Sequence, residues 1–332
     1  MVKTMLPFDV NQTEFINDYQ REVWKLGIHI VPLDVSLADI ADPETREGCT
    51  QVYQCTMDIL KDMFKNTEDY KITRPPDYIL FAFAWATGKQ RVPAGIKKRK
   101  GLYEYIYGRL ERFGFTFDSE NLINERYPLF MRYWLLLQER GAQTLFCDFR
   151  PLAPNYKWAR TRDDLLRPLS DQDKLYAAEL YDYALTKGAK RLSYNQYKPY
   201  CFVYRKKHVL VLYNNDGIFA AVPYMNQYTA GDAVGELQQF IAIAKQQPDS
   251  AELIAYIQQG ITCCRSCDNA NCNGRIVDVA GVKRHLAYCH TEISKAHRSE
   301  NERVYTDYDI SMLKRMIDVR FLQVENQNEG AK

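Results

Sequence analysis

The sequence predicts an α+β fold, and three observations carry that expectation. Apolar residues recur at helical spacing through residues 1–150. A helix followed by three short β-prone runs with turn signals between them occupies 170–222, and a last amphipathic stretch follows a segment dense in cysteine and histidine at 263–290. Strands gathered in one region and helices in others give α+β, whereas regular alternation would give a parallel α/β sheet. The expected organisation is a mainly helical domain over 1–150, a small α+β domain with a three-stranded antiparallel meander over 151–260, and a Cys/His module with a C-terminal amphipathic helix over 261–332.

In the first region, Phe15, Ile16, Tyr19, Val23, Trp24 and Leu26 define a helix over 12–27 that stops at Gly27. Residues 28–32 follow as a short β-prone run. Val52, Cys55, Ile59, Leu60, Met63 and Phe64 mark a second helix after Pro43. Pro75 and Pro76 punctuate the chain, because proline removes an amide donor and disfavours helix in the residue before it. The run 78–85 is apolar on all sides and reads as buried, and two more helices are expected over 101–112 and 120–140.

Pro151, Pro154 and Pro168 mark a connector over 151–169. Ser170 and Asp173 then have the spacing of a capping box, Leu175, Ala178, Leu180, Tyr181 and Leu185 supply a helical face, and Gly188 sits where a left-handed cap belongs. Strands are expected at 200–204, 208–213 and 218–222. Arg205-Lys206-Lys207 reads as a charged hairpin turn, and Asn214-Asn215-Asp216-Gly217 as a second one, since Asn, Asp and Gly tolerate positive φ. Helices near 232–245 and 249–259 close this region. Thr306 and Asp309 cap a final helix carrying Ile310, Leu313, Met316, Ile317, Phe321 and Val324 on one side, while residues 325–332 read as a frayed end.

A chain of 332 residues with 46% hydrophobic and 26% charged residues is long enough for about two cores. Its 44 basic and 42 acidic residues nearly cancel, so the whole molecule gives no electrostatic argument for nucleic acid, membrane surface or acidic substrate. The N-terminus lacks the apolar core of a secretory signal, and the most apolar run, 78–86, falls short of the roughly 20 residues a bilayer span needs. A cytoplasmic location without membrane partners is therefore expected. Five of the nine cysteines lie between 263 and 289, while Cys49, Cys55, Cys147 and Cys201 are scattered, which is not the dense framework of a small disulfide-bonded protein.

The dense segment carries the chemistry. Cys264 and Cys267 form a Cys-x2-Cys knuckle, and Cys272, His285, Cys289 and His290 offer further soft or borderline donors. Zinc takes four such ligands in a tetrahedron, a pair from the knuckle and a pair from an element folded back onto it. Two ligand sets satisfy this: Cys264, Cys267, Cys272 and Cys289 as four thiolates, or Cys267 and Cys272 with His285 and either Cys289 or His290. The second set, with Ile276 and Val282 between its pairs, resembles the two-cysteine two-histidine zinc finger over residues 264–290.

That resemblance implies one structural Zn2+ and a helix leading into His285. Its base-reading positions fall on Asp278, Gly281 and Arg284, of which only Arg284 suits guanine, and a lone finger covers about 3 base pairs. The surplus of ligands argues against the open coordination position of catalytic zinc. The turn-like Asn and Gly surroundings argue against a redox Cys-x2-Cys, which needs a helix N-terminus to acidify its thiol.

Elsewhere, Lys97-Lys98-Arg99-Lys100 beside Tyr103, Tyr105 and Tyr107 is a candidate nucleic-acid contact, with a solvated loop as the plainer account. The phosphate-loop, dinucleotide, nucleophile-elbow and His-Glu-x-x-His motifs are all missing, and carboxylate pairs such as Asp163-Asp164 and Asp307 with Asp309 sit where helix caps belong. The reading is a binding or scaffolding protein with one structural zinc site, its partner a protein or a nucleic acid. The alternative is an enzyme with its site in a cleft between the two large domains.

Overall fold

The computed structural model describes residues 8–70, 108–118, 121–140, 147–156, 161–192, 200–215, 218–227, 233–261, 275–286, 290–293 and 304–329. Helices and small antiparallel sheets make it α+β. The chain divides into two units, Met1–Trp158 and Ala159–Lys332, so the residues expected as a separate C-terminal module cluster with the meander that precedes them.

In the first unit, helix α1 spans Asp18–Gly27, shorter than the expected 12–27 because Asn17 caps it by accepting from the Gln20 amide. Gln20 is buried. Its side chain accepts from the Ile16 amide and donates 3.1 Å to the Phe64 carbonyl, which fixes α1 against the end of a later helix. The expected β-prone run at 28–32 is not a strand. Ile28, His29 and Ile30 continue the helix end by donating to the carbonyls of Trp24, Leu26 and Gly27, and the apolar side chains of Ile28, Ile30 and Val31 are buried although no described strand pairs with them.

After a single turn, α2 (Leu33–Ser36), comes α3 (Pro43–Lys65). Asp42 caps it, accepting from the Thr45 amide at 2.8 Å, and Pro43 at the first position lacks only a donor the helix would not have used. Its apolar face buries Cys49, Val52, Cys55, Ile59, Leu60 and Met63. The helix expected over 120–140 begins only at Phe130. Ahead of it, β1 (Phe115–Asp118) and β2 (Asn121–Asn124) form an antiparallel hairpin in the register Phe115 to Asn124, and α4 (Phe130–Glu139) follows. Buried Asn124 anchors the hairpin, donating to the Phe113 carbonyl and accepting from the Tyr127 amide at 2.8 Å.

The second unit starts with α5 (Arg162–Leu166), a short helix inside the stretch expected as a connector, where Thr161 and Asp164 exchange hydrogen bonds in a capping box; α6 (Asp171–Thr186) follows, with Ser170 accepting from the Asp173 amide. Gly188, at φ 91°, ends α6 in the left-handed conformation. The meander forms, in the order β3 (Lys190–Arg191), β4 (Tyr200–Tyr204), β5 (Lys207–Asn215) and β6 (Ile218–Val222), all antiparallel. After Pro223 the chain leaves this sheet as β7 (Tyr224–Gln227), since proline cannot donate to a ladder. Helices α7 (Ala233–Lys245) and α8 (Ser250–Gly260) follow.

The terminal helix α9 runs over Asp307–Glu329, well into the residues read as a frayed end. It serves two cores. Ile310, Leu313, Ile317, Phe321 and Val324 pack with α6 and the sheet, whereas Met312, Met316 and Val319 pack with α7 and α8. Between the two faces sits Arg320, 2% exposed, donating from Nε to the His208 carbonyl on β5 and from a terminal nitrogen to the Gln323 side chain, which itself donates to the Glu236 carbonyl of α7. At the start of α9, Tyr305 places its hydroxyl 3.1 Å from the Ala221 amide, which donates to it from the outer edge of β6.

Two predictions follow from these contacts. A methyl group at Gly48 of α3 would stand 2.0 Å from Cδ2 and 2.4 Å from Cγ of the buried Tyr133 ring on α4. Alanine is the better helix former by about 1 kcal/mol, but overpacking costs about 1–3 kcal/mol. Gly48→Ala is thus expected to lower the denaturant midpoint, and a raised midpoint would refute the packing. Burial first, and then the Arg320 charge, hold the His208 imidazole below its ordinary pKa. Near pH 6.5 and below, the unfolded chain takes up a proton that the folded chain refuses, so this stabilisation is full above that pH and lost as pH falls. Urea titrations between about pH 7 and 5 should show a fall in stability that is smaller in His208→Gln.

Candidate metal centre

The Cys/His segment is framed by two antiparallel pairings. At its outer boundary, Ile261, at the end of α8, bridges to Ile293 in strand β10 (His290–Ile293), and β10 pairs with β7 from His290 opposite Gln227 to Ile293 opposite Tyr224. Inside it, β8 (Arg275–Val279) and β9 (Val282–Leu286) form a hairpin from Val279 opposite Val282 to Arg275 opposite Leu286. The hairpin tip is held by the fold. Val279 is fully buried with Leu253, Ile257, Ile261 and Ile293, and the Gln258 side chain of α8 donates to the Val279 and Ala280 carbonyls at 3.1 and 3.0 Å.

The hairpin replaces the helix that the finger resemblance implies here. Ala280 and Gly281 take φ of 51° and 94°, two successive left-handed residues that make a tight hairpin turn, and Asp278 accepts from the Gly281 amide at 2.6 Å. Ile276, Val277, Val279 and Val282 suit strands better than a helix interrupted by glycine. The base-reading positions lose their meaning with the helix: Gly281 lies in the turn, and Arg284 stands in β9 opposite Val277.

Of the candidate ligands, His285 lies in β9 opposite Ile276, and His290 opens β10. Cys264, Cys267, Cys272 and Cys289 lie outside the described residues, as do Lys97, Lys98, Arg99 and Lys100. Among the described residues, no group of three or more His, Cys, Asp and Glu stands close enough to hold a metal ion. Their placement in the chain is informative all the same. Cys264 comes three residues after Ile261 and His290 three before Ile293, while Cys272 comes three before Arg275 and Cys289 three after Leu286. Paired Cα atoms are about 5 Å apart, so each pairing brings together the two stretches of chain that flank it.

The four scattered cysteines behave differently. Cys49, Cys55, Cys147 and Cys201 are all buried and none is in a disulfide. Burial pushes the Cys49 and Cys147 thiols up to about 12, and raises Cys55 as well, whose sulfur accepts from the Asn124 amide group at 3.7 Å. These are core-filling thiols, poor as nucleophiles and as metal ligands. With a pKa near 12, about one thiol in ten thousand is ionised at pH 8. Maleimide labelling of the native chain at that pH is expected to leave Cys49, Cys55, Cys147 and Cys201 unmodified in peptide maps, and rapid labelling of any of them would contradict the packing described.

Within the described residues, no helix is long and apolar enough to cross a membrane. No protein-family model, no curated protein and no solved structure matches this chain.

Proposed function

We propose that this chain is a binding or scaffolding protein whose second unit is stapled by one structural zinc ion held within residues 264–290. The observation that supports the ion is the pair of antiparallel brackets, Ile261 with Ile293 and Arg275 with Leu286, each leaving a candidate donor three residues away on either side. Thiolate and imidazole donors suit zinc, and an all-protein ligand set suits a structural rather than a catalytic role. Both ligand sets use Cys267 and Cys272. They differ in whether Cys264 and Cys289 complete a four-thiolate site or His285 joins with Cys289 or His290. The hairpin, which brings Arg275 and Leu286 together at its open end, favours donors just beyond those two residues, Cys272 and Cys289.

The ion would act through folding. Val279 and Ile293 belong to the same core as α8 and α9, so ordering the segment between them bears directly on the packing of the terminal helix. The partner is a protein or a nucleic acid, bound through the surface this framework presents.

Elemental analysis of protein purified without chelator is expected to give about one zinc per chain, lost in Cys267→Ser. Loss in Cys289→Ser as well would select the sets that contain Cys289, and retention there would select His285 with His290. Chelation should lower the unfolding midpoint of the full chain by several degrees, since a structural ion contributes folding free energy. Metal-free protein that melts unchanged in the presence of chelator would end the proposal.

A further inference from the structure

The β4–β5 hairpin turns through Arg205 and Lys206 alone, because Tyr204 pairs directly with Lys207. Both residues have positive φ, 46° and 69°. Two successive left-handed residues are the type I′ geometry, normally built from Asn-Gly or Asp-Gly because side chains with a Cβ are disfavoured there. The β8–β9 turn of the same unit puts Gly281 at its second position. Among the described residues neither side chain makes a hydrogen bond or an ion pair, and backbone strain of this kind persists where the side chains it presents are used.

The tip does not stand alone. Lys190 in β3 pairs with Val203, one strand over and about 12 Å from Lys206 by strand spacing and rise. Three acids of the same unit are engaged by other residues: Asp318 by Lys187 at 2.8 Å, Glu236 by Lys207 at 3.2 Å, and Glu325 by the Tyr204 hydroxyl at 3.2 Å. Arg205, Lys206 and Lys190 are exposed and have no ion-pair partner among the described residues. The Arg205 guanidinium lies 5.2 Å over the Tyr204 ring, which itself rests on Phe321 with centroids 4.8 Å apart. That planar fork is therefore held in place before any ligand arrives, with less side-chain entropy left to lose.

We propose that Arg205 and Lys206 at this hairpin tip, with Lys190 beside them, grip the phosphodiester backbone of a nucleic acid without reading its bases. A pre-ordered guanidinium suits bidentate contact with phosphate oxygens, and the two lysines act as point charges on neighbouring phosphates. The inference rests on the reading of this chain as a binding protein and names its partner class. It does not depend on the zinc ion.

The test uses the full-length chain, fluorescent single-stranded and duplex DNA and RNA of about 20 nucleotides and two unrelated sequences, and anisotropy titrations between about 50 and 200 mM salt. Three phosphate contacts give a slope of log affinity against log salt of about −2 on single strands and about −2.7 on duplex, at about 0.7 and 0.9 per contact. Arg205→Asn with Lys206→Gly should make the single-strand slope shallower by about 1.4, equally for both sequences. The same variant, relieved of the strained turn, should unfold at a midpoint about 3 °C above the parent's. Arg205→Gln with Lys206→Gln removes the charges while keeping side chains of similar length, and the same loss of slope is expected.

An unchanged slope in both variants overturns the proposal, as does equal competition by polyglutamate, which would assign the tip to an acidic protein instead. A parent chain that binds no probe also overturns it. Zinc stoichiometry, measured on the same preparation, separates that failure from failure of the metal staple.

Discussion

The second unit depends on one constraint: its last helix must bury two apolar faces at once. α9 gives Ile310, Leu313, Ile317, Phe321 and Val324 to the sheet side, and Met312, Met316 and Val319 to the helical side. A helix apolar over so wide an arc has no stable exposed state. The seam between the faces is polar, and Arg320 and Gln323 fill it with hydrogen bonds to β5 and α7. Removing one partner from such a buried network leaves the others unsatisfied, which costs more than the bonds themselves contribute. The sheet, the α7–α8 pair and the Cys/His segment thus meet on a helix supplied by the very end of the chain.

Long elements with agreeing local signals were legible in the sequence. α3, α6 and α9 show apolar periodicity together with a capping residue at the first position, and the meander shows β-branched runs separated by turn residues. Short elements were not. Residues 28–32 are as β-prone as any strand, but none of the described strands pairs with them, and the end of α1 takes the amides of Ile28, His29 and Ile30 instead. At 115–124 the hairpin hides because Leu122 and Ile123 also fit a helical pattern running on into α4. Asn124 ties the hairpin to its flanks through Phe113 and Tyr127 and to α3 through Cys55, and of these only the contact with Cys55 comes from elsewhere in the fold.

The candidate site was legible by residue type and illegible by geometry. Cysteine and histidine spacing marks 264–290 from the sequence alone, but spacing is equally compatible with a hairpin followed by a helix and with a second hairpin. The chain takes the second, through the left-handed pair Ala280-Gly281 and the Gln258 clamp. Gly281, a base-reading position in the finger resemblance, is the residue its turn requires. Gln258 carries no sequence signal, because its importance lies in carbonyls about twenty positions away that are exposed only by the hairpin it holds. Arg205 and Lys206 are visible as a charged turn, yet the positive φ that sets them apart from an ordinary turn is a property of the folded sheet.

The bridge between Ile261 and Ile293 closes a loop of 31 residues. For an unfolded chain, bringing the ends of a loop of that length together costs about 3 kcal/mol in chain entropy. Here that cost is borne by the packing of Ile261, Val279 and Ile293 in the core of the unit, before any ion binds. Such coupling is reciprocal. Whatever a zinc ion held as proposed added to the stability of the unit, the folded unit would return as affinity for the ion, so the segment cut free of its brackets would be a weaker chelator than the same residues in place. Metal occupancy would then report the state of the whole unit: a lesion far away, in α9 or in the sheet, would release the ion without touching a single ligand.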